Sequence, residues 1–141
     1  MEIRTVCVSG GFDPIHVGHL RMFERARQLG DRLVVIVNND NWLKLKKGYS
    51  FMHQEDRKEI ILGFSCVDEA ILTGHLEDAV DMSVCEELRL IQPDIFANGG
   101  DRKADNIPEY CLCEELGIEM LFNIGGDKIR SSSELVSKMP S

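Results

Sequence analysis

Apolar and polar positions alternate between two rhythms along the chain. The run Arg4-Thr5-Val6-Cys7-Val8 predicts a strand, and Leu20, Met22, Phe23, Ala26 and Leu29 then fall at helical spacing. Gly30-Asp31 closes that helix, and Arg32-Leu33-Val34-Val35-Ile36-Val37 has the unbroken apolar character of a strand buried on both faces. A helix over Gln54–Phe64 is predicted to face inward through Ile60, Ile61 and Phe64, followed by a short strand, Asp68–Leu72. From Glu77 to Ile91, the residues Val80, Val84, Leu88 and Ile91 predict a further buried helical stripe, ended by Pro93. A strand Asp94–Ala97, a helix Pro108–Leu116 closed by Gly117, a strand Ile118–Phe122 and a final helix Glu134–Lys138 complete the series. Strand–helix alternation of this kind predicts one α/β domain of about five strands, a doubly wound parallel sheet with right-handed crossovers. No repeat, linker or low-complexity segment interrupts it.

Composition narrows the partners. The 141 residues suit a single core, and 43% hydrophobic with 28% charged residues is ordinary for a soluble globular protein. A formal charge of −8 argues against nucleic acid or an anionic membrane as a bulk partner, because both reward basic surfaces. No apolar run reaches spanning length and no signal-peptide pattern opens the chain, so a cytoplasmic protein is expected. Cys7, Cys66, Cys85, Cys111 and Cys113 form an odd set without C-x-x-C spacing, which fits free thiols in a reducing compartment. Cys111-x-Cys113 has no second ligand pair to make a zinc site.

The chemistry concentrates where strands end. His16 and His19 lie three residues apart at the first strand-to-helix junction, so they share a helical face beside backbone N–H groups that have no intrahelical partner. Such a junction attracts anions. In a doubly wound sheet ligands bind beyond the carboxyl ends of the strands, and every other polar cluster falls there. After the second strand come Asn38-Asn39-Asp40 and then Lys44, Lys46 and Lys47; after the fourth come Asn98-Gly99-Gly100-Asp101-Arg102. After the fifth come Gly125-Gly126-Asp127-Lys128-Ile129-Arg130 and Ser131-Ser132-Ser133, with Ser131 and Glu134 spaced as a capping box. Trp42 is expected to pack.

Gly11-Phe12-Asp13 followed by His16-x-Gly18-His19 resembles the opening motif of the cytidylyltransferase-like nucleotidyltransferase superfamily, whose later motifs follow here in the same order. The likeness runs from Val6 to Val136 and implies a Rossmann-like fold. It also implies site roles. His16 and His19 would hold the phosphate bridge, and Lys44 and Lys46, on a lysine-rich loop, would follow charge onto the leaving pyrophosphate. Gly10, Gly11, Phe12, Gly18, Gly99, Asp101, Arg130, Ser131, Ser132 and Ser133 would bind the nucleotide. Asp13, Asp40 and Arg57 would face the acceptor, with Asp13 also placed for Mg²⁺. The implied reaction is direct displacement, in which an acceptor phosphate attacks the α-phosphorus of a nucleoside triphosphate; alignment and charge stabilisation then carry catalysis.

Val37-Asn38-Asn39-Asp40, the Leu45–Gly48 loop and Gly99-Gly100-Asp101 are most similar to heptose-1-phosphate adenylyltransferases. Gly30–Val35 and Lys44-x-Lys46-Lys47 are equally similar to glycerol-3-phosphate cytidylyltransferases. Those cytidylyltransferases carry an arginine–threonine–glutamate–glycine run where this chain reads Gly126–Arg130. ATP with a sugar phosphate is therefore expected ahead of CTP with glycerol 3-phosphate or a similar polyol phosphate. A nucleotide-binding module without turnover is the alternative from another class, and a homodimer is implied by resemblance alone.

Overall fold

The run Thr5–Gly10 forms β1 at the centre of a five-stranded parallel sheet in a computed structural model of the chain, which describes residues 3–99 and 108–124. The remaining elements are α1 (Val17–Arg27), β2 (Arg32–Val37), α2 (Asp40–Lys47), α3 (Gln54–Leu62), β3 (Glu69–Leu72), α4 (Cys85–Ile91), β4 (Ile95–Gly99), α5 (Glu109–Leu116) and β5 (Glu119–Ile124). The strand order is β3-β2-β1-β4-β5. The chain winds outward from β1 in one direction and then, from β4, in the other. The crevice beyond β1 and β4 is therefore the switch point at which such sheets bind ligands.

Strand alternation divides the core. Val6 and Val8 of β1 and Leu33, Val35 and Val37 of β2 pack with Phe23 and Ala26 of α1 and Ile61 of α3. The intervening Cys7, Val34, Ile36 and Phe96 pack on Val84 and Leu88 beside α4 and on Leu112 and Cys113 of α5. Both layers are buried. Burial pushes the Cys7 thiol up to about 12 and the Cys113 thiol up to about 11, and all five cysteines are free.

Three sequence expectations change. The segment carrying the lysines is a helix rather than a loop. The Asn39 side chain caps its start by accepting the Trp42 N–H at 2.9 Å, and Gly48, at φ 86°, closes it in the left-handed region. Asp40 in its first turn and Lys44, Lys46 and Lys47 in its last complement the helix dipole. The predicted 77–91 helix shrinks to α4, and Val80 is 97% exposed. Asp81 accepts from both the N–H and the hydroxyl of Ser83, at 2.9 and 2.6 Å, and these local bonds displace the helical ladder. Within α3, Ile60 is exposed while Arg57 and Ile61 are buried. The predicted final helix, 134–138, lies outside the described residues.

Candidate phosphate-handling site at the switch point

The two histidines cap α1 and each other. His16 is the N-cap: its Nδ1 accepts the Gly18 N–H at 3.1 Å, and the His19 Nδ1 accepts the His16 N–H at 3.2 Å. This reciprocal arrangement is a capping box in which imidazole replaces the usual hydroxyl and carboxylate. The rings lie 3.9 Å apart between centroids and tilt by 31°. Because both Nδ1 atoms accept backbone protons, the bonding assigns the ring proton of each neutral imidazole to Nε2. Burial, and then the neighbouring His16, lower the His19 pKa to about 3, so at neutral pH His19 is an uncharged donor and not a cation.

The glycines make room for this geometry. A Cβ on Gly18 would stand 2.8 Å from the His16 Cε1 and 3.0 Å from its Nδ1, so only glycine lets the imidazole fold back over its own cap. Phe12 is held at φ 52° with its ring edge-on to His19, at 5.0 Å between centroids. A Cβ on Gly10 would meet that same Phe12 ring at 2.9 Å.

Arg57 is a correction. Instead of facing an acceptor, it is fully buried and braces the site from beneath. Its Nη1 donates to the carbonyls of Gly11 and Asn38, both at 2.6 Å, and its Nε donates to that of Met52 at 3.0 Å. Its Nη2 reaches the Asp40 Oδ1 at 2.8 Å. Four of its donors are thus spent on the ends of β1 and β2, the start of α2 and the chain before α3. Asp40 is correspondingly an internal counter-ion; its other oxygen lies 3.7 Å from His53 Nε2.

Asp13 is likewise turned inward. It is buried, and its two oxygens accept the Phe51 and Met52 N–H groups at 2.6 and 2.5 Å. Lys47 Nζ sits 3.4 Å from its Oδ2 and donates to its carbonyl at 2.9 Å. Two amides and an ammonium on one carboxylate do not fit an open metal ligand, and no cluster of three metal-ligating side chains occurs among the described residues. The lysine brought onto the motif is Lys47. Lys44 and Lys46 are exposed on the last turn of α2. Trp42 packs as expected, its Nε1 donating to the Met82 carbonyl at 2.8 Å.

Gly99 closes β4 beside α1, where a Cβ would meet the Met22 sulfur at 2.5 Å. Asp101, Arg130, Ser131, Ser132 and Ser133 lie outside the described residues. Sequence reasoning missed the brace, although Arg57, Ile61 and Phe64 share the i, i+4, i+7 spacing of a buried stripe. It also missed the Asn39 cap, three residues ahead of the Trp42 amide it holds.

A five-stranded parallel sheet covered by helices on both faces, with a capped helix start and two imidazoles at its switch point, defines a Rossmann-like α/β domain. The chain belongs to the cytidylyltransferase-like family, which it matches over residues 7–134. It is 40% identical over 114 residues to an FAD synthase of Ferroglobus placidus, covering 81% of this chain and 68% of that protein. It is 33% identical over 116 residues to the bifunctional protein HldE of Desulfatibacillum aliphaticivorans, covering 81% of this chain. The matched stretch is only 22% of that HldE, about a fifth of its length. Among solved structures, a lipopolysaccharide core biosynthesis protein of Thermoplasma volcanium shares the fold with a TM-score of 0.72 at 23% identity, covering 92% of this chain and all of that one. No helix among the described residues is long and apolar enough to cross a membrane.

Proposed function

We propose that this chain transfers a nucleotidyl group from a nucleoside triphosphate, ATP ahead of CTP, to the phosphate of a small phosphorylated acceptor, releasing pyrophosphate. An acceptor oxygen forms the new bond to the α-phosphorus as the bond to the bridging oxygen of the leaving pyrophosphate breaks. The attacking oxygen is already anionic, so no activated nucleophile is needed, and the protein's task is alignment and charge stabilisation. The observation that carries the proposal is the imidazole capping box. It fixes two imidazoles at the start of α1, at the carboxyl end of β1, with no reorganisation required at the moment of reaction. Neutral imidazoles supply hydrogen bonds and no charge. The cationic share therefore falls to lysines at the end of α2, Lys47 against the motif and Lys44 and Lys46 exposed beside it.

The FAD synthase likeness supports ATP as donor, because making FAD joins an adenylyl group to a phosphate. Asp101, Arg130 and Ser131–Ser133 complete the nucleotide side in this proposal. Mg²⁺ belongs to it as an ion brought by the triphosphate, since Asp13 is already engaged. The test is pyrophosphate release with ATP or CTP, Mg²⁺ and a panel of glucose 1-phosphate, glycerol 3-phosphate and FMN. Release with ATP and one acceptor is expected. Release with CTP alone would assign the cytidylyl reaction, and binding of nucleotide without release under any pairing would leave only a binding module.

A further inference from the structure

At the carboxyl edge of the sheet, the face that packs on α4 and α5 turns from apolar to polar within one step of the strands. Cys7 of β1 pairs with Phe96 of β4, and both are buried in the apolar layer. Two residues further along each strand stand the polar residues Ser9 and Asn98. On the other side of β1, Val37 pairs with Leu72, and the next positions are Asn38 and Thr73, both buried. Thr73 and Asn98 have partners. The Thr73 hydroxyl accepts the Asn39 N–H at 3.0 Å, and the Asn98 amide reaches the Leu121 carbonyl at 3.3 Å.

Asn38 differs. Its backbone is clamped on both sides, the N–H donating to the Gly10 carbonyl at 2.9 Å and the carbonyl accepting Arg57 at 2.6 Å. Its side-chain Oδ1 is buried, with the residue 4% exposed, and has no hydrogen-bond partner among the described residues. A buried acceptor left unmatched on an immobile backbone is costly, and a folded chain keeps one where something else supplies the donor.

We infer that Asn38 is a specificity-determining contact for a hydroxyl of the phosphorylated acceptor, an inference that rests on the transfer reaction proposed above. A hydroxyl both donates and accepts, so it satisfies this amide in either orientation of its oxygen and nitrogen. Two ligands bring hydroxyls to the site: the polyol or sugar chain of the acceptor and the ribose of the nucleotide. Position favours the acceptor. Asn38 follows β2, on the β3 side of β1 in the strand order, whereas the glycine-rich stretch expected to meet the nucleotide follows β4 on the opposite side.

The test compares the wild-type chain with Asn38→Leu, and with Asn38→Ala where leucine proves too bulky. Glucose 1-phosphate, glycerol 3-phosphate, FMN and inorganic phosphate serve as probes. KM for a hydroxylated acceptor should rise about tenfold or more, with KM for the triphosphate and the affinity for inorganic phosphate unchanged. The melting temperature should hold or rise, because no protein hydrogen bond is lost. A fall of several degrees in both variants would show that the amide has a partner inside the protein, and would overturn the assignment. So would an unchanged acceptor KM, or a rise confined to the triphosphate, which would give the contact to the ribose. Wild-type protein that releases no pyrophosphate with any acceptor defeats the transfer reaction itself. Active wild-type protein with an unaffected Asn38→Leu defeats only the role of Asn38.

Discussion

Replacing Arg57 by methionine separates a brace from a phosphate ligand. The substitution keeps much of the stem and removes the fork, leaving the carbonyls of Gly11, Asn38 and Met52 and the Asp40 carboxylate without their donor. Removing one partner of a buried ion pair costs about 3–5 kcal/mol. The three carbonyls add less than their separate values, because the bonds share one group and relax together. A total of about 4 kcal/mol is a large fraction of a stability on the order of 5–15 kcal/mol. In a chain of this size it should lower the melting temperature by roughly 10–15 °C. Arg57→Lys should recover less than half, since an ammonium cannot span carbonyls from three separate segments. Thermal melts and urea titrations read the effect directly. A variant that melts within about 2 °C of wild type and shows a raised acceptor KM would refute the brace and restore Arg57 as a phosphate contact.

His16→Ala or His19→Ala should lower turnover by roughly a hundredfold or more while the sheet stays folded; pyrophosphate release checks it, and near-normal turnover in either removes the imidazoles from the reaction. Stability should fall with acid in a defined window. The folded-state pKa of His19, about 3, lies below its ordinary 6.5, so the unfolded chain takes up the proton first. The contribution is complete above that ordinary value and is lost as pH falls toward the folded one. Wild type should therefore lose about 2 kcal/mol more than His19→Asn between pH 7.5 and about pH 5 in urea titrations, at about 1.4 kcal/mol per pH unit. Parallel losses in the two proteins would show that His19 titrates normally. Gly18→Ala should displace the His16 ring, cost about 1 kcal/mol of cap and depress turnover more than that loss explains; unchanged kinetics would mean that the cap geometry is dispensable.

Local rules were enough for much of this molecule. The apolar run of β2 and the amphipathic spacing of α1 each declare their element, because burial on two faces or one leaves a periodicity in the chain itself. The i, i+3 spacing of His16 and His19 likewise fixed their place at a helix start, since both capping bonds close within four residues. Contacts between distant segments left no such trace. Arg57 reads as an acceptor contact until three carbonyls from separate segments surround it, and Asp13 as a metal ligand until Phe51 and Met52 bring their amides. Val80 keeps the period of a buried stripe but stands in solvent, because Ser83 turns onto Asp81 before the helix can begin. Strand order and the choice of Lys47 over Lys44 and Lys46 also belong to the tertiary structure. Periodicity reports which face of one element is buried; only packing decides what that face meets.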